Sequence, residues 1–255
     1  MTTSKDHHPK LAVQTFTVRN LAQKDLKKTL DELKLLGIKN IELAYIEQTE
    51  KNIKIIQDSN LKVVSMQLTL KILKNNFNDV VHHCKTLKCK RVIVSVMPVY
   101  AIIGKTKSVI KLGKQLDILK DKYNKEHIDF AYHHHDFEFK KIKGKSKLDI
   151  LLENTSQDVK FVTDTYWTAK SKLSPSDIIT KFGKRLMGVH IRDLSKLDFK
   201  TDCEIGSGSI DFNKVLTKAG KYASYVAIEQ NTKTPLESLK QSITYINEHY
   251  QNLIE

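Results

Sequence analysis

Cysteine is scarce in this chain, with only Cys84, Cys89 and Cys203 among 255 residues. A small, odd number provides no disulfide framework and points to a reducing compartment. Long apolar runs are missing as well. The greasiest stretch, "RVIVSVMPVYAIIG", is too short to span a bilayer and is broken by Pro98. The opening "MTTSKDHHPKLAVQ" lacks the apolar core of a secretory signal. No linker rich in proline, glycine or serine divides the chain, and no low-complexity block interrupts it, so one domain over residues 1–255 is expected. Together these absences argue for a soluble, cytoplasmic protein with no membrane partner. Charge of one sign is abundant, at a formal net +14. The lysines are scattered, as in "KKTLDELKLLGIKN" and "KILKNN", which reads as solvated helix faces. Nucleic acid is therefore not expected as a partner, and self-association is left open.

What is present is alternation. Eight runs read as strands: "LAVQTF", "KNIELAY", "LKVVSMQL", "RVIVSV", "IDFAYHH", "VKFVTD", "LMGVHI" and "YVAIEQ". Between them lie helically spaced segments such as "DLKKTLDELKLLG", "NNFNDVVHHCKTLK" and "KSVIKLGKQLDILKDKY". Ser174-Pro175-Ser176-Asp177 and Thr234-Pro235-Leu236-Glu237 each combine a capping residue, a first-turn proline and an acid. Gly37 is placed to close the first helix. Eight β-then-α units in this length predict an α/β fold, a single (β/α)8 TIM barrel. The rival doubly wound sheet usually carries a glycine-rich loop after its first strand, and "QTFTVRN" has none.

Barrel active sites sit at the C-terminal strand ends, which here read Gln14, Glu42, Gln67, His133, Asp164, His190 and Glu229. Their same-face neighbours two residues earlier are mostly small: Ala12, Asn40, Ser65, Ala131, Val162, Gly188 and Ala227. Val13, Ile41, Val64, Tyr132, Val189 and Ile228 should face the helices. Any single polar tip is most simply a satisfied strand end. A converging set of carboxylates is costlier, because each unsatisfied buried polar group costs about 1–3 kcal/mol. Two histidines with two acids form a mixed nitrogen and oxygen set suited to one divalent transition metal, Mn or Zn first, then Co or Fe.

With these residues in view, the chain resembles the xylose-isomerase-like TIM barrel superfamily of sugar phosphate isomerases and epimerases, nearly end to end. "LAVQTFTVRN" and "GIKNIELAY" resemble its first two strands. "FAYHHHDFEF" resembles a Tyr-His-Asn-His-acid-Phe-Glu-Phe signature, with His134 where asparagine is usual. "VTDTYWTAKS", "GVHIRD", "EIGSGSIDFNKVL" and "VAIEQN" resemble the sixth strand, the seventh, the loop and helix after it, and the eighth. The resemblance implies metal ligands at Asp164, His190 and Glu229. His133 best matches the fifth-strand ligand, usually a glutamate, with His135 on the same face and Glu138 beyond. His134 faces the other way by parity. Gln67 stands where related chains often carry histidine, and Arg192 where lysine is usual.

The resemblance further implies a metal-dependent isomerase or epimerase of a small sugar, keto-polyol or sugar phosphate, acting by proton transfer next to a metal-polarised carbonyl. Glu229, His135 and Glu138 are then the catalytic candidates. Gln14, Glu42, Gln67, Trp167, Lys170 and Arg192 are the substrate-binding candidates. A lyase resembling inosose dehydratases is the near alternative, because a histidine in place of one glutamate disturbs the symmetric two-glutamate shuttle. A non-catalytic sugar-binding barrel is the alternative outside enzymes. An endonuclease IV-like nuclease would need more histidine ligands than strands two and three supply. Gly206-Ser207-Gly208-Ser209 could offer amides to an anion but reads first as a turn. The helical His82, His83, Cys84 and Cys89 fit no standard zinc spacing and are assigned to surface and packing.

Overall fold

The computed structural model describes residues 8–255; residues 1–7, the start of the stretch searched for a signal, lie outside the described residues. Eight parallel strands close on one another: β1 (Lys10–Gln14), β2 (Asn40–Leu43), β3 (Lys62–Leu68), β4 (Arg91–Val94), β5 (Asp129–His133), β6 (Lys160–Asp164), β7 (Leu186–Ile191) and β8 (Tyr225–Ile228). Each pairs with the next and β8 returns to β1, with Ala12 opposite Ala227. Every strand is followed by a helix packed outside: α1 (Leu26–Leu35), α2 (Glu50–Asp58), α3 (Phe77–Thr86), α4 (Thr106–Lys125), α5 (Lys147–Glu153), α6 (Pro175–Phe182), α7 (Phe212–Tyr222) and α8 (Pro235–Tyr250). The expected (β/α)8 barrel is thus the observed one. No helix among the described residues is long and apolar enough to cross a membrane.

Local chemistry sets the helix ends. Gly37, at φ +82°, ends α1 in a paired turn: Ile38 N–H donates to the Leu33 carbonyl and Gly37 N–H to that of Lys34. Ser174 caps α6 by accepting from Asp177 N–H, with Pro175 in the first turn. Thr234 differs from expectation. Its side chain makes no cap bond to α8, so Pro235 and Glu237 start that helix without it.

Two layers of core follow from strand parity. Val13, Ile41, Tyr132, Val189 and Ile228 join the large cluster between sheet and helices. Inside the barrel, Ala12, Ile93, Ala131, Val162, Met187 and Ala227 form a second cluster with Tyr225 and Val64. Val64, expected to face the helices, is inside. The β2–β3 register jumps from Ile41–Val63 to Glu42–Ser65, and this irregularity leaves Val64 as an extra residue that breaks the alternation.

Tyr225 fills the barrel axis, and its hydroxyl donates to Glu42 Oε2 at 2.6 Å. Gly188 makes room for it: a Cβ there would lie 2.4 Å from Tyr225 Cζ. Gly188→Ala should therefore destabilise the fold by about 1–3 kcal/mol, the usual cost of overpacking. Urea unfolding measures it, and an unchanged midpoint would show that the tyrosine is not held as described.

Candidate active site

The C-terminal ends of β5, β6, β7 and β8 bring His133, Asp164, His190 and Glu229 together. One ligand atom from each lies within 4.8 Å of the others, and all four residues are buried. The His133 and His190 rings are 4.5 Å apart between centroids. His133 Nε2 is buried without a hydrogen-bond partner and lies 3.9 Å from Asp164 Oδ2. His190 Nδ1 lies 2.9 Å from Glu229 Oε2 but is not aligned for a hydrogen bond. Two imidazole nitrogens without proper partners facing two carboxylates are what a divalent ion would satisfy, so the donor set fits a metal of the Mn, Zn, Co or Fe kind.

Each donor is fixed from behind. Asp164 ends β6 and caps the short helix Thr165–Lys170, where Oδ1 accepts from Trp167 N–H at 3.0 Å. Oδ2 remains for the site. His190 Nε2 meets Glu42 Oε1 at 2.6 Å, and the other Glu42 oxygen accepts from Ser65 at 2.5 Å and from Tyr225. Glu229 Oε2 accepts from Gln14 Nε2 at 2.8 Å, and the same amide donates to Gln67 Oε1 at 2.9 Å.

Arg192, where lysine was expected from the resemblance, is the third charged element. Its Nη1 donates to Glu229 Oε1 at 2.7 Å and lies 3.5 Å from Asp164 Oδ2, and Nη2 donates to Asp202 Oδ2 at 2.6 Å. Its guanidinium carbon lies 4.6 Å from the Tyr166 ring centre and 5.6 Å from that of Trp167.

These contacts divide the protonation states. Burial holds the imidazoles of His133 and His135 down at about 3, with the neighbouring histidine adding to the effect in each case. Both rings are neutral. Burial also opposes charge on His190, but Glu42 and Glu229 outweigh it and push its pKa up to about 10. For Glu229, burial favours the neutral acid, while Arg192 and His190 more than offset it and keep the carboxyl below its ordinary range. Asp164 and Asp202 are raised by burial, with Arg192 limiting the rise in each.

A cavity of ≈ 410 Å³ opens above the four donors. Of the substrate-binding candidates, Gln14, Gln67, Trp167 and Arg192 line it, as does the catalytic candidate His135. Three candidates fall elsewhere. Glu42 is fully buried, with one oxygen against His190 and the other taken by Ser65 and Tyr225. Lys170 braces the aromatic wall from outside, with Nζ 4.7 Å from the Trp167 ring centre and 3.2 Å from the Tyr166 hydroxyl. Glu138 lies on the helix side, where it accepts from the Tyr132 hydroxyl and, at 2.8 Å, from His135 N–H. The turn Phe137–Phe139 reverses the chain and carries it there, and burial raises its pKa to about 7. His134 packs against Phe139 and Phe182 and reaches Thr163 Oγ1 at 2.8 Å, on the outer face. His83 faces Gln48 and Glu50, and Cys84 lies against Met66; among the described residues neither belongs to a ligand cluster.

Several lining residues were not foreseen: Phe16, Tyr45, Tyr166, Asp202 and Asn231. Tyr225 was also missed, although counting back by twos from Glu229 through Ala227 points it inward. Asp202 carried no such signal, since it sits in the two-residue strand Asp202–Cys203, which pairs back onto Asp193–Leu194 and brings its carboxylate to Arg192.

No protein-family model matches the sequence, and no curated protein matches it. Solved structures do. A sugar phosphate isomerase/epimerase from Parabacteroides distasonis superposes with a TM-score of 0.80 at 19% identity, over 100% of this chain and 98% of that one. A probable 3-DHS dehydratase from Bacillus anthracis gives 0.76 at 12% identity, over 94% and 99%. The IolI protein, solved with a zinc atom, gives 0.69 at 16% identity, over 96% and 98%. Structural neighbours of this chain are thus sugar phosphate isomerase/epimerase and xylose-isomerase-like barrels, and the fold is theirs.

A metal entering this site meets a protonated His190, and coordination needs the neutral ring. Uptake should release about one proton near neutral pH, and affinity should rise with pH until about 10. Calorimetry of Mn²⁺ binding in buffers of different ionisation heat reads the proton directly. An affinity that does not change between about pH 7 and about pH 9, or a heat that is the same in buffers of different ionisation heat, would contradict the assignment of His190 as a ligand.

Proposed function

We propose that the protein is a divalent-metal-dependent isomerase or epimerase of a small sugar, keto-polyol or sugar phosphate, working in a reducing, cytoplasmic setting. The observation that carries this reading is the buried convergence of His133, Asp164, His190 and Glu229 under an aromatic-walled cavity at the barrel mouth. When bound, a Mn- or Zn-type ion supplies Lewis-acid polarisation of a substrate carbonyl.

The chain's own groups handle position and proton. Glu229 is ionised at neutral pH, and Gln14 and Arg192 fix its two oxygens on opposite sides. It takes the proton from the carbon next to the carbonyl. Isomerisation can return that proton through Glu229 itself, whereas epimerisation needs a second group on the other side of the carbon to deliver one. His135 is the group at hand: its Nδ1 is buried without a partner, and its neutral ring has one N–H to give, restored afterwards from solvent. Gln67 Nε2, also unpartnered, binds a hydroxyl or carbonyl oxygen. Trp167, 5.4 Å from His135 between ring centroids, covers the apolar face of a sugar and excludes water.

A dehydratase is the second reading. It is favoured by the histidine that replaces the second glutamate, which makes the two sides of the substrate carbon chemically unequal. Loss of water, seen as a mass change, separates it from isomerisation.

Mn²⁺-loaded protein incubated with ketoses in deuterated water should place deuterium next to the carbonyl. Glu229→Gln should slow that exchange by about 10²–10⁴-fold, the usual worth of a positioned general base. Turnover without any solvent deuterium, or exchange that survives Glu229→Gln, would contradict proton transfer through Glu229.

A further inference from the structure

We infer that the pocket takes an unphosphorylated polyhydroxy carbonyl compound, a free ketose or keto-polyol, and discriminates against the corresponding phosphate esters. This rests on reading the mouth as a sugar site and narrows its substrate class. Two devices that could hold a phosphate are present in the chain, and both are filled by its own carboxylates.

The first is the Arg192 fork. A phosphoryl dianion is best held by two parallel N–H donors of a guanidinium. Here Nη1 is spent on Glu229 at 2.7 Å and Nη2 on Asp202 at 2.6 Å. Asp202 is held in turn, since its Oδ2 also accepts from Asn231 N–H at 3.0 Å. Only Nε of Arg192 is left without a partner.

The second is the glycine-containing loop after β7, a place where barrels of this kind frequently bind phosphate. Its amides turn inward onto Asp193. Gly206 N–H and Gly208 N–H donate to Oδ2 at 3.0 and 2.9 Å, and Leu194 N–H and Ile210 N–H to Oδ1 at 2.8 and 3.1 Å. Asp193 is fully buried. A Cβ at Gly208 would lie 2.1 Å from Asp193 Oδ1, so the carboxylate occupies the space an external anion would need.

Electrostatics points the same way. Asp202 and Glu229 belong to the cavity wall, and among the described residues Lys200 is its only cation besides Arg192. A dianion there meets like charges, whereas a neutral hydroxyl does not. The lining residues also bring buried polar atoms without a partner, Gln67 Nε2, His135 Nδ1 and Arg192 Nε, each of which suits one hydroxyl or carbonyl oxygen. Tyr166 and Trp167 form an aromatic wall beside His135 and Arg192, and ≈ 410 Å³ lies within the usual size of a small-molecule site.

Trp167 is the only tryptophan in the chain and lines the cavity, so its fluorescence reports occupancy of this site and not of the basic surface. Mn²⁺-loaded protein is titrated with D-fructose against D-fructose 6-phosphate, and with D-ribulose against D-ribulose 5-phosphate. At least one free ketose should bind roughly tenfold or more tighter than its ester. Asp202→Ala, which removes the acceptor of Nη2, should raise ester affinity relative to the free sugar by about tenfold. Esters that bind as tightly as free sugars to the unaltered protein overturn the inference, as does failure of both free ketoses to bind. Deuterium exchange run on the same mixtures separates the two readings. Exchange confined to the esters overturns this inference and leaves proton transfer standing; binding of a free ketose without exchange does the reverse.

Discussion

Four carboxylates, those of Glu42, Asp164, Asp202 and Glu229, lie at one end of the barrel where little water reaches them, and the mouth is organised around neutralising them. An isolated buried carboxylate is too costly to keep ionised, so each must find a cation or several donors. The chain supplies one permanent cation, Arg192, shared among Asp164, Asp202 and Glu229, and one conditional cation, His190, clamped between Glu42 and Glu229. Ionised together, the four acids exceed these two cations by two negative charges. A divalent ion that displaces the His190 proton would bring the difference down to one, and His133, neutral and facing the gap, would stand among its ligands.

The rest of the barrel serves that balance. Tyr225 and Ser65 hold Glu42 from below, so the carboxylate can only present its other oxygen to His190. Gly188 is glycine because the tyrosine ring needs the space. Asp164 divides its oxygens between a helix cap and the site, which ties the position of a ligand to the start of the segment that carries Trp167. Such supporting contacts fix ligand geometry as firmly as the ligands themselves. Arg192 links the seventh strand to the returning loop through Asp202, so the lining of the cavity and the charge of the site are adjusted by the same side chain.

The barrel was legible in the sequence because period-two runs and helically spaced runs alternate eight times, a pattern that local residues set on their own. The four donors were legible because they are strand ends with small same-face partners, and parity is a short-range rule. Parity failed at Val64, where the β2–β3 irregularity adds a residue that no local signal marks. Parity puts Glu42 on the inner face, yet His190, Ser65 and Tyr225 take up its carboxylate, because parity tells the face of a residue but not whether it reaches the cavity. Glu138 was assigned by its likeness to a signature, and a single turn takes it to the outer layer. Asp202 lies on a two-residue strand paired with Asp193–Leu194, and Tyr166 on the short helix Thr165–Lys170; both placements depend on tertiary contacts that a reading of spacing does not reach.

The claim on which everything turns is that His133, Asp164, His190 and Glu229 surround one cation while Arg192 stays paired with Asp202. Diffraction at the manganese edge from crystals grown with Mn²⁺ tests it directly. The account predicts one strong anomalous peak at coordination distance from all four side chains, about 2.0–2.3 Å, with the Arg192–Asp202 bond intact. A peak elsewhere, or a lattice of Mn²⁺-grown crystals with none at these four residues, would contradict it.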